Sequence, residues 1–145
     1  MSFLVDTNVL LRRLEPGHPH HHDAIAGVER VIGIGEPVYV AAQNVAEFWA
    51  TATRPPDRNG LGLDVAAAVA AVGRIEQTFA VLPDDPQIYD YWKRLVRLHQ
   101  IIGNRIFDAR LVAVMLVHGI GRILTFNAAD FARYGAAVLH PSAVP

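Results

Sequence analysis

The sequence predicts an α/β fold with a parallel sheet of about five strands flanked by helices. Three observations predict it. Short β-like runs alternate with longer helical stretches along the whole chain, Gly and Pro punctuate the joins, and acidic residues stand just after strands. No repeat, low-complexity tract or shift in composition divides the 145 residues, and 52% apolar residues suffice for one sizeable core. A single domain over residues 1–145 is expected.

The elements follow in order. Phe3-Leu4-Val5 is a short apolar strand ending at Asp6, and Asn8 to Leu14 can be helical before Pro16-Gly17 stops it. Asp23 to about Ile34 has helical spacing at Ile25, Val28 and Ile32. Val38-Tyr39-Val40 reads as the second strand. Gln43 to Thr53 is helical and stops before Pro55-Pro56. Arg54 to Gly62 is a loop, and Leu63 to Thr78 an Ala-rich helix. Phe79 to Leu82 is the third strand. Pro83-Asp84-Asp85-Pro86 opens a helix, with acids in its first turn, that runs to about Leu98. Ile106 to His118 is the next helix, closed by Gly119. Ile123 to Thr125 is the fourth strand, Ala128 to Tyr134 a short helix, and Ala137 to Leu139 the fifth strand.

The charges nearly cancel, with thirteen Lys/Arg against fourteen Asp/Glu, so no bulk basic footprint marks a nucleic-acid binder. An RNA partner would have to be met by a local patch. Twelve of the thirteen basic residues are Arg, and Lys93 is the only Lys. Arg suits bidentate phosphate contacts, although a codon bias towards Arg and Ala explains it as well. Without cysteine there is no disulfide framework and no thiolate chemistry. The N-terminus lacks a basic region followed by an apolar stretch, and the longest apolar run, Leu111 to Val117, is too short to span a membrane. A cytoplasmic protein is expected.

The chemistry is carried by carboxylates at the sheet's ligand-binding edge, the carboxyl ends of the strands. Asp6 follows the first strand, where it can also cap the helix after it. Asp108 shares a helix face with Leu111, Val112 and Met115, on a helix apolar nearly all round. A carboxylate there is costly unless it is paired or holds a cation. Service to the helix dipole, or a pair with Arg105 or Arg110, is the alternative. Glu47 points roughly opposite the apolar stripe of Val45, Phe48, Trp49 and Ala52, so periodicity alone favours solvent. In Thr125-Phe126-Asn127-Ala128-Ala129-Asp130, Asn127 can cap the short helix and Asp130 lie in its first turn. Together these acids suggest one oxygen-rich pocket, which suits Mg²⁺ or Mn²⁺ rather than zinc. A hard divalent ion beside a phosphodiester points to its hydrolysis.

Four blocks carry a resemblance over the whole chain. They are Val5-Asp6-Thr7-Asn8-Val9-Leu10-Leu11, Gln43-Asn44-Val45-Ala46-Glu47-Phe48-Trp49 continuing to Thr53-Arg54-Pro55, Phe107-Asp108-Ala109-Arg110-Leu111, and Thr125-Phe126-Asn127 with Asp130-Phe131. In this order they resemble the PIN-domain family in its VapC-like toxin branch, and Asn59-Gly60-Leu61-Gly62-Leu63 resembles a loop of one subgroup. The resemblance implies a three-layer nuclease domain with the first strand central. It also implies a metal-dependent endoribonuclease, the toxin of a type II toxin–antitoxin pair, acting on RNA, forming a homodimer and held by a small antitoxin protein. Asp6, Glu47 and Asp108 would be the metal-binding acids, with Thr7 and Thr125 bonded to them or their waters. Asn127 stands where many members carry Asp, which leaves open whether Asn127 or Asp130 approaches the metal.

Two other readings are weighed. A catalytically weak domain of the same family could bind RNA or a partner without turnover. A phosphoacceptor receiver domain also gathers acids at strand ends, but it needs a lysine after a late strand, and Lys93 falls in a predicted helix. His18, His20, His21 and His22 are read as a solvated loop and helix start, because consecutive His cannot all face one ion. Tyr89, Tyr91 and Trp92 among Lys93, Arg94 and Arg97 are read as core beside a solvated face rather than an RNA platform. Gly33-Ile34-Gly35 follows a helix, so it is no phosphate loop.

Overall fold

A computed structural model describes all 145 residues. Its strands are β1 (Phe3–Val5), β2 (Val38–Ala41), β3 (Ala80–Leu82), β4 (Arg122–Leu124) and β5 (Ala137–Leu139). The helices are α1 (Thr7–Arg12), α2 (His21–Gly33), α3 (Ala42–Thr53), α4 (Val65–Thr78), α5 (Pro86–Leu98) and α6 (Ile106–His118). The sheet is parallel throughout, in the order β3-β2-β1-β4-β5, with Leu4 opposite Tyr39 on one side and Ile123 on the other.

Successive strand residues point to opposite faces, and the core divides accordingly. Phe3 and Val5 join Val9, Leu10, Val28, Val31 and Phe48 on one side. Leu4 joins Ile88, Leu111, Val114, Met115 and Phe131 on the other. The result is helix, sheet, helix in three layers. Strand order runs β1 to β3 towards one edge and resumes with β4 on the other side of β1. Such a reversal opens a crevice at the carboxyl ends of β1 and β4. Asp6 and Thr125 are the residues that follow those two strands.

The structure departs from expectation in small ways with physical causes. Asp6 caps α1 one residue early, because its side chain accepts from the Thr7 amide. Asp64 accepts from the Ala67 amide, so α4 starts at Val65. The segment read as a helix over 128–134 is two 3₁₀ turns, Ala128–Asp130 and Ala132–Tyr134, without a side-chain cap from Asn127. The six-residue α1 has the Asp6 cap that this segment lacks. Lys93 lies exposed in α5, which removes the receiver reading's lysine. No helix is long and apolar enough to cross a membrane.

Gly27 in α2 is required by a close approach. A Cβ there would lie 2.7 Å from the Pro141 carbonyl oxygen and 2.8 Å from the Pro141 Cβ. Gly27→Ala should therefore lower stability by about 1–3 kcal/mol, against a helix-propensity gain of about 1 kcal/mol. Thermal or denaturant melting checks this, and a stabilised variant would show that the Pro141 turn moves freely.

Candidate metal centre

The site is built from two hydrogen-bond networks that meet where the backbone passes from Asp6 to Thr7. The Asp6 amide donates to Leu124 O at 3.0 Å, extending the β1–β4 ladder by one step and fixing Asp6 at the sheet edge. Asp6 Oδ1 accepts from the Thr7 amide at 2.8 Å. Asp6 Oδ2 accepts from Thr125 Oγ1 at 2.7 Å and Asn8 Nδ2 at 3.2 Å. Thr125 is fully buried and also accepts from Asn8 Nδ2 at 3.1 Å and from the Asn127 amide at 3.0 Å. Its hydroxyl is saturated, so Thr125 positions Asp6 rather than meeting a ligand.

The second network holds Glu47. Thr7 Oγ1 donates to Glu47 Oε2 at 2.9 Å, and Gln43 Nε2 donates to Glu47 Oε1 at 2.7 Å. Thr7 Oγ1 in turn accepts from Asn44 Nδ2 at 3.1 Å, and Asn44 Oδ1 accepts from the Ala41 amide at 2.8 Å. Glu47 is half-buried and turned into the site, where periodicity alone favours solvent. Gln43 also donates to Phe107 O at 2.9 Å and accepts from Arg110 Nη1 at 3.0 Å, which ties α3 to α6.

Asp108 is half-buried in the first turn of α6. Neither arginine considered for it forms an ion pair with it. Arg110 donates to Asp84 Oδ1 at 2.9 Å, and Arg105 donates to Asp130 Oδ1 at 3.3 Å. Asp130 thus sits at the rim, and the Asn127 side chain does not cap the turn. Asn8, Gln43 and Asn44 join the site with no role expected from the sequence, and Arg105, an expected partner of Asp108, bonds Asp130 instead. Only Gln43 carried a local signal, at i, i+4 from Glu47 on one helix face.

Burial pushes the Asp6 carboxyl up to about 6, against the hydrogen bonds from Thr125 and the Thr7 backbone, with Glu47 and Asp130 adding repulsion. Burial also pushes Asp108 up to about 6, helped by Asp6, Asp130 and Glu47 and opposed by Arg105. The four predicted acids therefore lie within reach of one another's charge. They do not form a closed cage: no group of three or more acidic or imidazole side chains is drawn together as direct ligands of one ion. The histidine run accordingly makes no metal cluster either.

The residues fit Mg²⁺ or Mn²⁺. The donors are all hard oxygens, burial disfavours two of them as anions, and an open set suits an ion that keeps several of its waters. Asp6, Glu47, Asp108 and Asp130 are the groups that would hold it.

Comparison with known proteins gives concordant results. Residues 3–137 match the family model of the PIN domain. The chain is 28% identical over 136 residues to Ribonuclease VapC24 of Mycobacterium tuberculosis, covering 90% of each. Among solved structures it is similar to Mycobacterium tuberculosis VapC20, described as a sarcin-ricin loop cleaving toxin, at TM-score 0.69 and 25% identity, covering 94% of this chain and 97% of that one. It also resembles FitAcB from Neisseria gonorrhoeae at TM-score 0.68 and 23% identity, covering 96% and 97%.

Proposed function

The chain belongs to the PIN-domain family, and from that premise we propose that it is a metal-dependent endoribonuclease and the toxin of a toxin–antitoxin pair, acting in the cytoplasm. The observation that carries this reading is the acidic crevice at the β1/β4 switch point. There Asp6 and Glu47 are each oriented by two side-chain donors and Asp108 has no cationic partner. The likeness to Ribonuclease VapC24 supports RNA as the substrate.

A bound Mg²⁺ or Mn²⁺ would supply Lewis-acid stabilisation of the phosphate and a more acidic water. The chain supplies orientation. Thr125 and Asn8 fix Asp6 Oδ2, Thr7 and Gln43 fix the two oxygens of Glu47, and these donors lower the reorganisation needed at reaction. The exposed guanidinium of Arg105 and the exposed amide of Asn127 stand at the rim, where a phosphate would meet them.

An antitoxin partner is supported by a cleft of about 370 Å³ between α1, α2 and α4. Leu10, Leu14, Ile25 and Phe48 line it beside Arg13 and Arg74, and the buried Arg13 Nε has no hydrogen-bond partner. An apolar segment carrying a carboxylate would fill the cleft and satisfy that donor. For a homodimer, Tyr89, Phe107, Leu98 and Ile102 offer exposed apolar surface on and after α5 and at the start of α6.

The neutral Asn127, exposed at the rim where it adds no charge to the acids, favours a second reading, a domain that binds RNA or a partner without turnover. One experiment separates the two. The chain should be purified with the product of a neighbouring small open reading frame, freed of it, and assayed on RNA with Mg²⁺, with EDTA, and after Mg²⁺ is restored. Cleavage should vanish in EDTA and return. Full activity in EDTA removes the metal mechanism, and RNA binding without cleavage in Mg²⁺ favours the binding module. Growth arrest on expression, relieved by the partner, checks the toxin role separately.

A further inference from the structure

The histidine run makes no metal site, yet it contributes to a cluster of rings. The His20 imidazole stacks on Phe126, with centroids 4.5 Å apart and planes 21° from parallel. His140 meets Phe126 edge-on at 5.1 Å, and His18 lies 5.4 Å from His20. The rings come from three separate segments: the turn before α2, the residue two after β4, and the residue after β5. His20 is exposed and the other three are half-buried. An exposed imidazole contributes little to core stability, so packing does not explain its place.

The position of the cluster does suggest a use. Phe126 follows Thr125, whose hydroxyl is 2.7 Å from Asp6. Its amide donates at 3.3 Å to Asn8 Oδ1, and the same Asn8 side chain touches Asp6 through Nδ2. The Thr125 amide is bonded to Leu139 O at 3.1 Å, which brings His140 alongside. The turn bearing His20 is also fixed: the His20 amide donates to His18 Nδ1 at 3.0 Å, and the His21 amide to His18 O at 3.0 Å. A preformed aromatic surface therefore adjoins the acidic crevice.

A net charge of −1 gives no long-range attraction for a polyanion, so binding rests on local contacts such as the rim Arg105. Stacking needs no net charge and holds any base that is free of its own stack. We propose that the exposed ring of His20, backed by Phe126, forms a stacking platform for the nucleobase next to the scissile phosphate. His140 and His18 buttress the platform from its edges. A base within a duplex presents no free face to such a surface, so paired RNA is excluded. This inference rests on the ribonuclease reading and deepens it.

The test uses a short single-stranded RNA oligonucleotide, its annealed duplex, and versions abasic on either side of the cleavage position. Dissociation constants are measured in EDTA and KM and kcat in Mg²⁺. His20→Ala should weaken binding and raise KM by about tenfold, the scale of one lost base–aromatic stack, with kcat less affected. His20→Tyr should restore binding, and Phe126→Leu should behave like His20→Ala. One abasic substitution should cost the wild type the same factor and His20→Ala nothing more, a coupling that a merely structural role would not produce. An unchanged dissociation constant and KM in His20→Ala, additive losses with the abasic RNA, or equal use of the duplex overturns the platform. If the wild type cleaves while His20→Ala is unaffected, only the platform falls. If binding depends on His20 but nothing is cleaved, the ribonuclease reading falls and the platform stands. A wild type that neither binds nor cleaves RNA removes both.

Discussion

Asp108→Ala and Asp6→Ala should each lower RNA cleavage by roughly two to three orders of magnitude, the scale on which one fixed charge is lost from a preorganised site, while the fold survives. Asp108 gives the cleaner result. It has no ion-pair partner, so its removal leaves no buried cation unpaired. Asp6→Ala also removes the acceptor of the Thr7 amide and of Thr125, and should cost about 1 kcal/mol as a lost cap. Stability gives a second check. Asp108 sits at about 6 in the fold, above the ordinary carboxylate value, so the native state binds its proton more tightly than the unfolded chain does. The stability this adds is present below about pH 4 and is lost as pH rises through about 6. Metal-free Asp108→Asn should therefore melt at or above wild type at pH 8 and show no such advantage at pH 4. Wild-type turnover by either alanine variant at saturating Mg²⁺ would show that the acids are wrongly assigned.

Much of this architecture is local and therefore legible in sequence. The limits of α6 follow from an apolar run closed by Gly119, whose left-handed backbone, φ 66°, ends the helix. Asp108 stands out because burial on that helix needs a reason. Strand order is different, because nothing in a three-residue strand names its neighbours, and the family resemblance supplied the central β1. Glu47 shows the limit of periodicity most clearly. Its helix has an apolar stripe on the far side, yet Thr7, forty positions away in sequence, draws its carboxylate inward. The arginines fail for the same reason: Arg105 and Arg110 are close to Asp108 in sequence, while Asp130 and Asp84 take their hydrogen bonds from other segments. The stack of His20 on Phe126 was equally hidden, since the two meet only because β4 and the turn before α2 end at one edge.

Asp130→Asn should raise the Mg²⁺ concentration for half-maximal rate by about tenfold, equivalent to ~1.4 kcal/mol and reasonable for one charge acting in a partly wet site. Asn127→Ala should instead lower the rate at saturating Mg²⁺ and leave the midpoint in place. The structure separates the two residues. Asp130 adds repulsion at both Asp6 and Asp108, so its charge reaches the crevice. Asn127 contributes its backbone amide to Thr125, and its neutral side chain can orient a phosphate or water but adds no charge to hold a cation. Arg105 complicates the outcome usefully. It bonds Asp130 at 3.3 Å, so Asp130 could serve only to hold that guanidinium at the rim. In that case Asp130→Asn would act as Arg105→Gln does, lowering the rate at saturating Mg²⁺ with an unshifted midpoint. A shifted midpoint in Asp130→Asn, with Arg105→Gln leaving the midpoint in place or lowering it, assigns Asp130 to the metal. The converse pattern leaves Asp6, Glu47 and Asp108 as the charged groups that hold it.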